Sequence, residues 1–285
     1  MVGMSDYTSR AALNQFTGDA PMFAVPNVFM ALMTAVDIDA GTGGTEVSGG
    51  AYARVQVAGQ LAATASFTTG SPNITMTTNP GWIVPGMNVW DLTKTPSPGA
   101  QVGTVSTFSG TALVLTSNSA IASQGTTDNL LFSAFSPSSG TTPSTITNGA
   151  AITFPQATVS WGTVIAFELR DASSAGNLLL WDYLGNFAWR PFTGTLASPS
   201  VLTAPAHGYA NGDPVVLTAE FGGTIMTGGT FTGVLTVAGS ATDTFNVGVN
   251  ATASGSGMVR KIVQQSIPSG VTASFAASSL TASGA

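Results

Sequence analysis

Ser71-Pro72-Asn73-Ile74-Thr75 leads to Val84-Pro85-Gly86-Met87-Asn88-Val89, and the progression returns later in the chain. The second version runs Ser198-Pro199-Ser200-Val201-Leu202, then Ala210-Asn211-Gly212-Asp213-Pro214-Val215-Val216. From Ser to Gly is 15 residues in the first version and 14 in the second. Each then meets a strand-like run, a short polar turn and another run. These are 102–106, Ser109-Gly110-Thr111 and 112–116 in the first, and 233–237, 239–242 and 244–247 in the second. Short apolar runs between Gly, Pro, Asn and Ser clusters read as strands. Four features recurring in one order read as an internal repeat. The expectation is two related small β-barrel or sandwich modules, at 60–147 and 189–262.

Removing both modules leaves 1–59, 148–188 and 263–285. These pieces read as one discontinuous, β-sandwich-like base domain, because insertions are tolerated at loop tips where the chain ends lie close together. Its expected strands are 28–35, apolar enough for burial on both faces, and 51–57, where Tyr52, Arg54 and Gln56 alternate with Ala53, Val55 and Val57. Further strands are expected at 151–154, 163–169 and 177–183, with 271–280 closing the domain. One short helix is expected, capped by Ser5 or Asp6, covering 7–16 and stopped by Gly18. The fold class is all-β.

Composition narrows the function. Apolar residues make up 44% of the 285, enough for real cores, but charged residues only 7%, against about 25% in an ordinary soluble protein. Such a surface of hydroxyls and small side chains suits permanent packing beside identical neighbours, where buried charge costs desolvation energy. Thirteen acids oppose seven bases, a net charge of −6, and only Arg260 and Lys261 among the bases are adjacent. Phosphate-backbone binding needs clustered cations, so no nucleic-acid partner is expected. A membrane helix needs about 18–20 continuous apolar residues, and the best stretch, 22–36, is short and holds Pro26 and Asn27. No membrane partner and no signal peptide are expected. Cysteine is absent, which excludes a disulfide framework and a thiolate metal site. It fits a protein made in a reducing cytosol that later works outside it.

The base-domain pieces carry a resemblance. Residues 39–54, Asp-Ala-Gly-Thr-Gly-Gly-Thr-Glu-Val-Ser-Gly-Gly-Ala-Tyr-Ala-Arg, resemble the signature of small phage structural proteins labelled tail-fibre proteins. Ile152-Thr153-Phe154-Pro155-Gln156-Ala157-Thr158, Trp161-Gly162-Thr163-Val164, and the run from Phe167 through Gly176-Asn177-Leu178-Leu179 agree in order. Ile267-Pro268-Ser269-Gly270, followed by Phe275 and Leu280, resembles that family's closing strands. The short family members lack the two insertions. The second insertion, with Ala206-His207-Gly208-Tyr209, is similar to a small β-module of many phage virion proteins. The resemblance implies a virion protein whose partners are other phage virion proteins.

Residues able to carry chemistry are few. The Gly41–Gly44 loop lacks the following Lys-Ser/Thr of a phosphate loop and reads as a hairpin loop. Asp37 and Asp39 would share one face of an extended chain and could hold Ca²⁺, but solvated loop acids are the plainer reading. His207 is the only histidine, and its place matches Asn79-Pro80-Gly81-Trp82 in the first module, which argues for a turn role over general-base work. Glu168, Asp171 and Asp182 invite a paired-carboxylate reading for glycoside cleavage. Arg170 shares a strand face with Glu168, and a salt bridge is the plain alternative. Trp161, Phe167, Trp181, Tyr183, Phe187 and Trp189 read as base-domain core rather than a sugar platform. The arm Met22-Phe23-Ala24-Val25-Pro26 packs either on a neighbouring subunit or as an ordinary strand edge.

No catalytic, cofactor or metal site is therefore expected. The leading expectation is a virion structural protein, a capsid decoration or cement protein held by many weak, uncharged contacts. The expected oligomer is a homo-oligomer such as a trimer, which covers strand edges. The alternative is a tail-fibre or tail-tip subunit contacting the host receptor.

Overall fold

The structure, a computed structural model, describes residues 3–17, 27–36, 44–63, 67–93, 100–119, 121–122, 128–139, 144–219 and 222–284. The chain is all-β, with one helix among the described residues. It forms two compact units: Met1–Gly162 with Phe167–Asp182 and Ile267–Ala285, and Thr163–Ala166 with Tyr183–Ser266.

The first unit opens on the helix Asp6–Thr17. Its cap is Ser5, whose Oγ accepts the Thr8 N–H at 3.2 Å, satisfying a donor that the first turn leaves free. The unit's main sheet has eleven strands. In spatial order ten of them are Gly3–Met4, Leu178–Tyr183, Ala166–Arg170, Val28–Ala35, Val55–Ala63, Asp128–Ser133, Asn88–Asp91, Ala100–Ser109, Ala112–Leu115 and Asn73–Thr75. The eleventh, Thr45–Glu46, pairs with Val28–Ala35. Met30, Ala31, Leu32 and Met33 are all buried, so Val28–Ala35 is covered on both faces, as its unbroken apolar run requires.

Three strand expectations need correction. Residues 51–54 alternate like a strand but form a turn, and the strand starts at Val55. Gly49, Gly50 and Ala51 take φ of 76°, 53° and 64°, and the Tyr52 N–H bonds back to Gly49 O at 3.0 Å. The expected 163–169 strand is two strands, Gly162–Val164 and Ala166–Arg170. The expected 271–280 strand is also two, Thr272–Phe275 and Thr281–Gly284. Between them Ser278 sits at φ 62° and the Ser279 N–H bonds to Ala276 O at 3.1 Å. Gly18 lies outside the described residues.

The second unit holds a six-stranded sheet in the order Leu235–Thr236, Pro214–Thr218, Gly255–Lys261, Arg190–Gly194, Val201–Thr203 and Thr244–Asn246. Its two ends meet, because Ala238 and Asn246 exchange both backbone hydrogen bonds at 2.8 Å. The sheet thus curls around a core that includes Phe192, Leu202, Val215, Val237, Phe245 and Val259.

The two stretches with the Ser-to-Gly progression share local geometry. Gly86 and Gly212 both take left-handed φ, 89° and 92°. The Gly86 N–H bonds to Val105 O at 2.9 Å and the Gly212 N–H to Val237 O at 2.8 Å. The return bonds match: Val105 N–H to Met87 O at 2.8 Å and Val237 N–H to Asp213 O at 2.9 Å. Asn73–Thr75 pairs with Ala112–Leu115 as Val201–Thr203 pairs with Thr244–Asn246.

Candidate functional site

In the first unit, Glu46, Tyr52 and Arg54 form a hydrogen-bonded knot. Arg54 grips Glu46 with two nitrogens, Nε to Oε1 at 2.9 Å and Nη2 to Oε2 at 2.7 Å. Its Nη1 donates to the carbonyls of Ala172 and Ala175, both at 2.7 Å. The Tyr52 hydroxyl donates to Glu46 Oε1 at 2.9 Å and accepts the Leu32 N–H at 2.9 Å. Burial pushes the Glu46 carboxyl up, but the bonds from Arg54 and Tyr52 outweigh it and hold the carboxyl below its ordinary value. Burial pushes the Tyr52 phenol far up, so it stays a hydroxyl donor.

Glu168 and Arg170 form the salt bridge their spacing suggests, with Nε at 2.9 Å and Nη2 at 2.7 Å from Glu168 Oε2. Glu168 is fully buried. An acid for glycoside cleavage must reach its sugar, and this one is enclosed with its guanidinium. Asp171 instead closes the 171–177 loop, accepting from the Asn177 N–H at 2.6 Å and its side-chain amide at 2.7 Å. Arg54 and Arg170 fill that loop's carbonyls, because Arg170 Nη1 also donates to Gly176 O at 3.2 Å. Burial of Glu168 and the loop bonds of Asp171 commit both acids elsewhere, and Asp182 is half-buried on Leu178–Tyr183.

His207 is buried in the second unit. Its Nδ1 accepts the Tyr209 N–H at 2.9 Å, and Nε2 lies 3.3 Å from Thr244 O. That pattern assigns the proton to Nε2. The ring packs on Tyr209 and Phe245, with centroids at 4.8 and 5.1 Å. Both nitrogens hold backbone, so the imidazole works as a turn and core residue. Tyr209 is pushed up to about 12, chiefly by burial.

The aromatic stretch divides. Trp161, Phe167, Trp181 and Tyr183 are buried. Phe187 is 38% exposed, with Lys261 Nζ 5.4 Å from its ring centroid. Trp189 is half-buried beneath the Arg260 guanidinium at 5.8 Å. Lys261 also pairs with Asp213 at 2.7 Å. Burial raises the Asp213 carboxyl, but the Lys261 bond, the Ala210 N–H and the Lys261 charge together hold it below its ordinary value.

Asp37, Asp39, Gly41, Gly43 and the arm 22–26 lie outside the described residues. Among the described residues no three His, Cys, Asp or Glu side chains come together as a metal site. No helix among them is long and apolar enough to cross a membrane. Sequence reasoning missed Asn148, which is fully buried and satisfied on every polar group. Its Nδ2 donates to Ala150 O at 2.9 Å and Ala276 O at 2.7 Å, and its Oδ1 accepts the Leu280 N–H at 2.8 Å. Its partners stand up to 132 residues away, so no local pattern announces it.

The family model described as "Podophage GP4 fiber I protein gp80" matches residues 3–92 and 88–187. The chain belongs to this family. This gp80-family fibre protein is thus a phage virion structural protein, associated with other virion proteins. The matched region carries the Glu46–Arg54 knot, the Glu168–Arg170 pair and Asn148, whereas residues 188–285 lie outside it. No curated protein and no solved structure matches the chain.

Proposed function

We propose that this chain is a non-enzymatic building subunit of a phage fibre, acting by shape and by packing against copies of itself and other virion proteins. The family match over about two thirds of the chain carries this reading. The side-chain chemistry supports it, because Glu46, Glu168 and Asp171 are each bonded to groups of their own chain. A surface so poor in charge loses little on permanent contact. Counting copies per purified virion by quantitative mass spectrometry tests the reading. A few to about twenty copies, with antibody labelling on an appendage, is the outcome expected of a fibre. Hundreds of copies spread over the head would return the capsid-decoration reading that the sequence put first.

The modular organisation is part of the same proposal. Residues 60–147 and 189–262 are read as two versions of one β-module set into a base domain made of 1–59, 148–188 and 263–285. The matched glycine turns and return hydrogen bonds support it. Strand Val55–Ala63, which pairs with Asp128–Ser133, reaches upstream of residue 60.

A further inference from the structure

Residues 268–284 are fastened to the first unit mainly by backbone. Of residues 268–281 none is buried, and only Ala273, Phe275 and Leu280 are half-buried. Thr272–Phe275 forms a two-stranded sheet with Ile152–Gln156, and Thr281–Gly284 forms one with Ser144–Thr147. The receiving side, by contrast, is built from core: Ile152 and Phe154 are 2% exposed and Asn148 is 0% exposed. Asn148 brackets the segment at three points. It donates to Ala276 O at 2.7 Å, accepts from the Leu280 N–H at 2.8 Å, and its carbonyl accepts from the Ser278 N–H at 2.7 Å. Phe275 adds the one large side-chain contact, with ring centroids 6.5 Å from Phe154 and 5.7 Å from Phe167.

A turn precedes the segment. Ile267 is buried, and its carbonyl holds the Trp161 N–H at 2.9 Å. Pro268, Ser269 and Gly270 follow as an exposed turn, with Gly270 at φ 85°. The turn is itself bonded to 156–158: the Gly270 N–H to Ala157 O at 2.7 Å, Gln156 Nε2 to Gly270 O at 2.8 Å and Ser269 Oγ to Thr158 O at 2.9 Å.

We propose that residues 271–284 are an exchangeable arm that, in the assembled protein, fills the Ser144–Thr147 and Ile152–Gln156 slot of a second copy. The slot reads backbone, so the same segment of a neighbour satisfies it equally well, which is the logic of strand addition. Exchange keeps the arm's ladder contacts but breaks or transfers the three bonds of the 268–270 turn to 156–158, so it links copies only when they are held close together. The inference rests on the reading that the chain self-associates.

The absence of cysteine gives a clean test. Thr153 and Ser274 stand directly opposite across the ladder, and both are exposed. The full chain carrying Thr153→Cys and Ser274→Cys is assembled, sized by light scattering, oxidised, denatured and run on a non-reducing gel. Covalent dimers and larger species that collapse on reduction are expected, with each single variant giving only traces. Thr147→Cys with Thr281→Cys repeats the readout at the other strand pair. An oligomer whose oxidised chains all run as internally bridged monomers overturns the exchange but leaves self-association standing. A monomer in light scattering overturns both. If neither cysteine pair oxidises, the arm does not occupy the slot, and the inference is again overturned.

Discussion

Replacing Arg54 by Ala strips both guanidinium bonds from Glu46 and both bonds from the 171–177 loop. Breaking a buried ion pair by removing one partner costs about 3–5 kcal/mol. The Arg54 side chain is 6% exposed, but that of Glu46 is 26% exposed, so water partly rescues the orphaned carboxylate. The cost falls at the lower end, about 3 kcal/mol. For a unit of this size that is a drop of about 6–12 °C in melting temperature. The double variant with Glu46→Ala should lose less than the sum of the singles, since the orphan is then gone. The pH dependence follows from the depressed Glu46 carboxyl. Its stabilisation is complete above the ordinary value of 4.5 and is lost as pH falls through the lower folded-state value. The gap between wild type and Arg54→Ala should therefore narrow in acid. Thermal scans by near-ultraviolet circular dichroism at neutral and acidic pH measure this. An Arg54→Ala chain melting within about 1 °C of wild type at pH 7, where ~3 kcal/mol is expected, would refute the assignment of the knot as the clamp on the 171–177 loop.

Other substitutions separate local from global effects. Gly86→Ala and Gly212→Ala both force a side chain into left-handed φ, at about 1–2 kcal/mol. At Gly86 the added Cβ also meets Gly149 O at 2.9 Å, whereas at Gly212 it meets nothing within 4 Å. Chemical denaturation should thus show Gly86→Ala worse by a further ~1–3 kcal/mol. His207→Ala orphans the Tyr209 N–H and removes two ring contacts, so the second unit should lose about 2–4 kcal/mol; an unchanged denaturation midpoint would contradict the turn role. Replacing 189–262 by a short Gly-Ser linker should leave the first unit's near-ultraviolet spectrum intact, and collapse of that spectrum would refute an inserted module.

The legible parts of the fold were those set by local physics. Val28–Ala35 has an apolar side chain at nearly every position, which only a strand covered on both faces satisfies. Ser5 preceding Asp6 announced a cap, and the 3.2 Å bond to the Thr8 N–H is that cap. The Glu168–Arg170 spacing announced a same-face pair. What misled was alternation without context. Tyr52 and Arg54 alternate like strand residues, yet one bonds the Leu32 N–H and the other holds a loop beyond residue 170. Both commitments join sequence-distant groups. Ser278 in left-handed φ hid the break in 271–280, since only glycine and asparagine advertise such turns.

Leu184 O accepts the Val263 N–H at 2.8 Å. One backbone hydrogen bond therefore ties the chain entering residues 185–262 to the chain leaving them, about 5 Å apart. On the proposed reading of residues 189–262 as an inserted module, a foreign domain whose own termini lie side by side takes its place across this bond.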